Sequence, residues 1–332
     1  MRYIGARLLQ GVLILFGVAV ITFFLPNLYT SPLTIAVKVL GTNRVHHGAY
    51  NLWLAKEGLN KPIVVRFFNW LGGVVHGNFG VAYAESTPTH DVPVTAVVGG
   101  NAWRSVYLVF IPTILSVLIA IPIGLTQAVR RNKVYDHVMT TFVYVLYSTP
   151  AVLVCILLAY YSAIELGIGT VSVSSDALGI SPSAFPWWML NHLNQFILPF
   201  AAIICLSIGG LTRYMRGSAL DTLVQDYVRT ARAKGASPTR VLFRHVLRPS
   251  VIPLVTILGL TLPVIIGGAL IIENIFNYPG MGVLTVNSIT DNDYTVVMAI
   301  TLITAILTVG GNLLADVFVA IADPRVRLGA SR

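Results

Sequence analysis

The sequence predicts an all-α, polytopic membrane protein with six transmembrane helices. Hydrophobic residues make up 55% of the 332 positions and charged residues 11%, against roughly a quarter charged in soluble domains. Six uncharged runs approach or exceed the about 20 residues that a helix needs to cross a bilayer: Leu8 to Leu28, Ser105 to Val129, Val138 to Ile164, Phe196 to Thr212, Pro249 to Ile272 and Tyr294 to Ala315. Third, the basic residues follow topology. With the N-terminus inside, Arg2, Arg7, Arg130, Arg131, Lys133, Arg213, Arg216, Arg229, Arg232, Lys234, Arg240, Arg244 and Arg248 fall on the cytoplasmic side, as do Arg325, Arg327 and Arg332. The opposite loops, Glu165 to Gln195 and Glu273 to Asp293, contain no Lys or Arg. That asymmetry predicts both termini in the cytoplasm, and it explains the net charge of +9 without nucleic acid.

The first span follows Arg2 and Arg7, as a secretory signal would. Its apolar run exceeds the usual ~7–15 residues of a signal and no small-x-small site follows, so a retained helix is expected, with residues 1–29 forming the N-terminus and first span. Residues 30–102 form an external region containing Pro32, Pro62, Pro88 and Pro93, long enough to have structure of its own. Within it Pro62 marks a helix start, and Val64, Phe67, Phe68 and Leu71 recur at helical spacing. A short helix lying on the outer membrane surface or capping a translocation mouth is expected, with a packed spacer as the alternative.

Residues 103–332 hold the remaining five spans. Pro112 and Pro122 fall in the second, Pro150 in the third, and Pro253, Pro263, Gly259, Gly267 and Gly268 in the fifth. Each removes or weakens a helical hydrogen bond, which membrane helices tolerate where neighbours or water satisfy the freed groups. Kinked helices can line a path that opens and closes; ordinary tolerance of Gly and Pro in membranes is the other reading. Cys155 and Cys205 fall inside spans, which supports neither a disulfide framework nor a cysteine metal cluster. Trp103, Tyr107, Trp187 and Trp188 near span ends suit interfacial anchors.

Between the fourth and fifth spans lies QDYVRTARAKGASPTRVLFRHVLRPS, Gln225 to Ser250. From Ala219 the apolar positions Leu220, Leu223, Val224, Tyr227, Val228 and Ala231 follow helical spacing, which predicts an amphipathic helix outside the membrane. Gly235 reads as its C-cap, with Lys234 in the last turn. Ser237 reads as the N-cap of a second helix, with Pro238 at its first position. Ala231, Ala233, Gly235 and Ala236 around the turn are small, so another protein could approach the backbone closely. Arg229, Arg232 and Lys234 ring this knob with charge. A solvated basic loop on anionic lipid would leave both caps and the small residues without a purpose.

Three carboxylates bound or enter spans: Glu165, Glu273 and Asp316. An intramembrane carboxylate is a functional candidate by default. Glu273, with Asn274 and Asn277, could line a substrate path, receive a cationic group or form a gate; it could equally sit hydrated or pair with another subunit. Asp316, followed by Asp323 and Arg325, reads as a structural ion pair, and Glu165 as a hydrated boundary residue. The histidines, including the adjacent His46 and His47, show no metal-site spacing, and neither a nucleotide-binding P-loop nor a nucleophile motif occurs. No catalytic, cofactor or metal residue is therefore assigned.

The segment Gln225 to Pro249 resembles the EAA loop of ABC-transporter permeases in its dipeptide/oligopeptide form. Arg229, Thr230 and Ala231 stand at the EAA positions and Gly235 at the glycine. His245 stands where Ile is usual, Leu247 at the Leu, and Pro249 is shifted by one. The acidic residue of the general motif is absent, a departure common in the peptide branch. MRYIGARLLQGVLILFGVAVITFFL, WLGGVVHGNFGVAY, PVTAVV, IIENIFNYPGMG and DPRVR are similar to that family's first helix, external region, fifth-helix end and C-terminal signature.

The resemblance implies an ABC importer permease fold in the bacterial inner membrane. It implies a second homologous permease as partner, two ATP-binding subunits that hold ATP and Mg, an extracytoplasmic solute-binding protein, and surrounding membrane lipid. ATPase coupling falls within the cytoplasmic segment 219–248, on Asp226, Tyr227, Arg229, Thr230, Ala231, Arg232, Ala233, Lys234 and Gly235. Peptide is the implied cargo; nickel, glutathione or another small solute is the alternative within the family. From another class, an ion-coupled secondary transporter would use Glu273 and Asp316 as cation sites, although no inverted repeat is evident.

Overall fold

The computed structural model describes residues 2–29, 31–40, 49–86, 90–260 and 269–322. Pro88, Pro263, Gly267, Gly268, His46, His47, Asp323 and Arg325 lie outside them, as does the Asp316 side chain. Among the described residues the elements are helices, with one isolated bridge pairing Val81 and Pro93. Helix α1 spans Arg2–Tyr29, α2 Pro32–Leu40, α3 Tyr50–Lys56 and α4 Ile63–Val75. Helix α5 spans Val94–Val129, α6 Val134–Ser148, α7 Ala151–Leu158, α8 Phe185–Asn191 and α9 Leu193–Leu223. The chain continues with α10 Asp226–Ala233, α11 Pro238–Arg240, α12 Leu247–Leu260, α13 Leu270–Ile275, α14 Met281–Thr290 and α15 Tyr294–Ala322.

Among the described residues five helices are long and apolar enough to span a membrane, and joining α6 to the helix after it gives a sixth span. That third span is interrupted at Pro150, the residue singled out within it, and its two halves meet at 102°. The cause is local. Proline disfavours helical geometry in the residue before it, and Thr149 and Pro150 both take extended ψ angles, 127° and 138°. The second half ends in a π-turn, Ala159–Glu165. Pro112 and Pro122, by contrast, sit inside the continuous 36-residue α5. Helix α5 also starts inside the stretch assigned to the external region, because Pro93 supplies an extended entry at ψ 137°.

The centre of the molecule is α9 packed along α5. Gly124 makes this contact close, since a Cβ there would lie 2.8 Å from the Thr212 carbonyl oxygen, and Gly209 does the same for α9 against α6, where a Cβ would lie 3.0 Å from the Val143 carbonyl oxygen. Buried Ala120, Leu125, Leu211, Met215 and Ala219 fill the seam toward the basic end. Leu108, Phe185, Phe196, Phe276 and Tyr278 fill it toward the opposite end. Asp136, 2% exposed, fastens α6 to α9: Arg216 donates Nε to Oδ1 and Nη2 to Oδ2, both at 2.8 Å. Such a bidentate pair fixes orientation as well as distance.

The region between α1 and α5 contains the expected helix, α4, entered at Pro62. Phe67, 3% exposed, packs edge-on against Phe16 and Phe23 of α1. The other face of α4 is apolar too, with Val64, Phe68 and Val75 exposed, a distribution suited to lipid. Beside it Tyr83 donates to Glu57 at 3.2 Å; burial first, and the Glu57 charge next, push its phenol well above the ordinary tyrosine range.

Candidate functional site

The basic end carries a projecting element made by α10, a turn at Gly235 and α11. The amphipathic periodicity from Ala219 to Ala231 is split between two helices: α9 ends at Leu223, Gln225 is extended at ψ 146°, and α10 restarts at Asp226. Apolar spacing continues through the break because both helices turn the same face to the core. In α10 only Val228 is fully buried, packed with Val241, Val246 and Leu254. Asp226, Tyr227, Arg229, Thr230, Arg232, Ala233, Lys234 and Gly235 are all exposed, and Ala231 is half-buried. One valine thus anchors the helix while the rest of its surface faces outward.

The turn is rigid. The Ala236 N–H donates to the Ala231 carbonyl at 3.2 Å and that of Gly235 to the Arg232 carbonyl at 3.0 Å, the paired bonds of a Schellman cap. Gly235 takes φ +77°, with nothing within 4 Å of the position a Cβ would occupy. Its requirement within this chain is conformational, and the open space beside it is free for a partner. Ser237 caps α11, accepting from the Arg240 N–H at 3.4 Å. The second helix runs through a π-turn, Val241–Val246, straight into α12. Movement of the projecting element therefore reaches a membrane span with no loop between. Arg240, Arg244 and Arg248 surround the exposed Phe243 on its flank.

Glu273 sits at the other end of the molecule and is fully buried. Its Oε1 accepts from Ser105 Oγ at 2.8 Å and from the Ala269 N–H at 3.2 Å. Its Oε2 accepts from the N–H groups of Gly282 at 2.6 Å and Val283 at 3.4 Å. Ser105 Oγ in turn accepts from the Met281 N–H at 2.8 Å, and Tyr278 donates to the Arg104 carbonyl at 2.7 Å. A carboxylate at the start of α14 is stabilised by the helix N-terminus, and with four donors it has little capacity left for a ligand. Gly282 is required here for closeness: a Cβ would meet Leu270 Cα at 2.6 Å. Asn274 and Asn277 are exposed, Asn277 at φ +46°. The geometry separates them from the knot that Glu273 forms.

Along one face of α9, Ile203, Ser207, Gly210, Tyr214, Gly217 and Asp221 recur every three or four residues and line two adjoining cavities that share Tyr214. The cavity in the apolar part, about 320 Å³, is walled by α5, α9, α12 and α13. The one at the basic end, about 480 Å³, adds Gln127, Arg213 and Arg216. Sequence reading missed this groove, Ser105 and the Asp136 to Arg216 pair. The small and polar residues at helical spacing on α9 were its only signal. Glu165 is exposed.

Residues 120–328 match the family described as binding-protein-dependent transport system inner membrane component. The chain is 34% identical to the oligopeptide transport system permease protein AppB of Bacillus subtilis over 98% of both chains. It is 32% identical to a putative peptide permease protein of Brucella suis over 99% of both. Identity to the oligopeptide transport system permease protein OppB of Mycobacterium tuberculosis is 31%, over 98% of this chain and 99% of that one. With several membrane-spanning helices, a projecting capped element at the basic end and full-length similarity of this kind, the chain belongs to the family of inner-membrane components of binding-protein-dependent transport systems.

Proposed function

We propose that this chain is a non-catalytic permease subunit of an ATP-driven peptide importer. It pairs with a second homologous permease, and the pair docks two ATP-binding subunits that hold ATP and Mg, one of them on this chain's coupling segment, and receives peptide from an extracytoplasmic solute-binding protein. Both termini and the α10 element lie in the cytoplasm, in keeping with the charge asymmetry. The names of the full-length relatives support peptide as the cargo.

The observation that carries this reading is the α10 element: exposed, capped at both sides of Gly235, and joined without a loop to α12. A motor that closes on ATP can act on packed spans only through a contact that does not bend, and interfaces of this kind move between discrete states. The groove on α9 is this chain's wall of the path. Glu273 holds the α13 to α14 corner of the path in place, while Asn274 and Asn277 face its outer mouth. The saturated hydrogen bonds of Glu273 also count against the ion-coupled alternative, which needs a carboxylate free to exchange its cation.

The test is uptake of labelled peptide into proteoliposomes containing the copurified complex and its solute-binding protein. Uptake should need internal ATP and persist when the proton gradient is collapsed. Uptake that follows the gradient without ATP would refute the proposal.

A further inference from the structure

The basic end of the α9 groove holds two guanidinium groups with different fates. Arg216 is neutralised by Asp136 through two bonds of 2.8 Å. Arg213, one turn earlier, is exposed, and its guanidinium lies 5.9 Å from the centre of the Tyr147 ring. It has no carboxylate within 4 Å among the described residues. The other carboxylate on the cavity wall, Asp221, lies two turns along α9, about 12 Å by helical rise. The cavity wall therefore presents the Arg213 guanidinium without a carboxylate beside it, and the Asp221 carboxylate about 12 Å further along.

A second observation comes from Gln127, 1% exposed on the same wall. Its Nε2 donates to Thr140 at 3.1 Å, while its Oε1 has no protein partner. A buried amide oxygen left open costs free energy unless something donates to it. A guanidinium on the cavity wall and an unpartnered amide oxygen buried just behind that wall match the two ends of a terminal peptide unit, its carboxylate and its N–H, once Gln127 turns toward the cavity. The apolar cavity lies next to this one along α9, with Tyr214 on the wall of both. A carboxylate crossing an apolar stretch is stabilised wherever it next meets a guanidinium, and such charge-assisted bonds are the strong ones.

We propose that Arg213 receives the C-terminal carboxylate of the transported peptide at the cytoplasmic end of the path, with Gln127 accepting from the adjacent peptide N–H. This rests on the peptide-import reading above. Arg213 is then a specificity-determining residue: the permease, beyond the solute-binding protein, prefers peptides with a free carboxylate over peptides whose C-terminus is amidated.

The experiment uses the whole complex in proteoliposomes with its solute-binding protein. Alanine peptides of two to six residues are supplied as free acids and as C-terminal amides. The affinity of the solute-binding protein for each is measured first, so that uptake is compared at equal occupancy. The unaltered complex should carry the acid ~10-fold faster than the amide, the size of one hydrogen bond to a charged group. Arg213→Gln should bring that ratio close to one mainly by slowing the acid, and Arg213→Lys should restore most of it.

Equal loss of both peptides in Arg213→Gln would assign Arg213 to contact with lipid phosphate and overturn the proposal. A ratio near one in the unaltered complex, or a ratio that Arg213→Gln leaves intact, would overturn it as well. If neither form enters while the solute-binding protein still stimulates ATP hydrolysis, the peptide-import reading falls and the proposal falls with it. That result is distinguishable from the others because no peptide uptake is then seen at all.

Discussion

The two polar motifs of this chain, the α10 element and the Glu273 corner, are built on opposite principles. At the corner every polar group is turned inward: the Glu273 carboxylate accepts from Ser105 and three backbone N–H groups, and no part of the residue reaches solvent. On α10 almost every side chain is turned outward, and Val228 alone is fully buried. The saturated motif can only hold the chain together, because a ligand would have to displace bonds already made. The open motif adds little to the stability of its own chain, so its charges and its capped turn are free to serve a partner.

Substitutions can break this contrast, and the largest effect is expected at the corner. Glu273→Ala leaves the Gly282 and Val283 N–H groups and Ser105 buried without their acceptor, at a cost of about 3–5 kcal/mol. Denaturant unfolding of the purified chain should show that loss; a stable protein with impaired transport would make Glu273 a ligand-facing group after all. Next comes Asp136→Ala, which strands the Arg216 guanidinium, less deeply buried at 29% exposure, and is expected to cost about 2 kcal/mol. The same assay should find Arg216→Gln comparable, and near-additive losses in the double variant would deny the pairing.

Substitutions on the open motif should cost less stability and more coupling. Val228→Ala removes two methyl groups from a closed cluster, about 1–2 kcal/mol, and should loosen α10 enough to lower transport per ATP hydrolysed. Gly235→Ala should cost about 1 kcal/mol, since only its φ of +77° is strained and no neighbour is struck. Gly235→Trp should leave the chain folded yet lose copurifying ATP-binding subunits; retention of those subunits would mean that the turn is not at the contact. The smallest effect belongs to Asp226→Asn. Its 3.8 Å pairing with Arg229 is solvent-exposed on both sides, and such pairs contribute little, so unfolding curves should superimpose.

Local chemistry made the open motif legible and the saturated one opaque. Pro62 at a helix entry, Gly235 at a C-cap, and Ser237 with Pro238 at an N-cap each act through their immediate neighbours, so the sequence states them directly. Periodicity misled where one extended residue, Gln225, separates helices that share a face. Pro150 marked the interruption of the third span but not the size of the 102° bend, because apolar spacing continues on both sides of Thr149 and Pro150. Glu273 reads as a candidate for ligand contact, a gate or a hydrated boundary until Ser105, distant by 168 residues, is brought beside it. The pairing of Asp136 with Arg216 spans 80 residues and has no local signature. Contacts of that range are decided by helix packing, for which the close approaches at Gly124 and Gly209 were the only sequence trace.

The most direct test of the account is a photo-crosslinking residue placed at Ala233, on the exposed face of α10, in membranes containing the intact transporter. A crosslink to an ATP-binding subunit is expected, with a yield that changes between the ATP-bound and nucleotide-free states, and none from the same probe at Asn274, exposed at the opposite end. Crosslinks from Ala233 to lipid alone, or a yield to the ATP-binding subunit that nucleotide does not alter, would contradict the claim that this element transmits the motor's closure to the membrane spans.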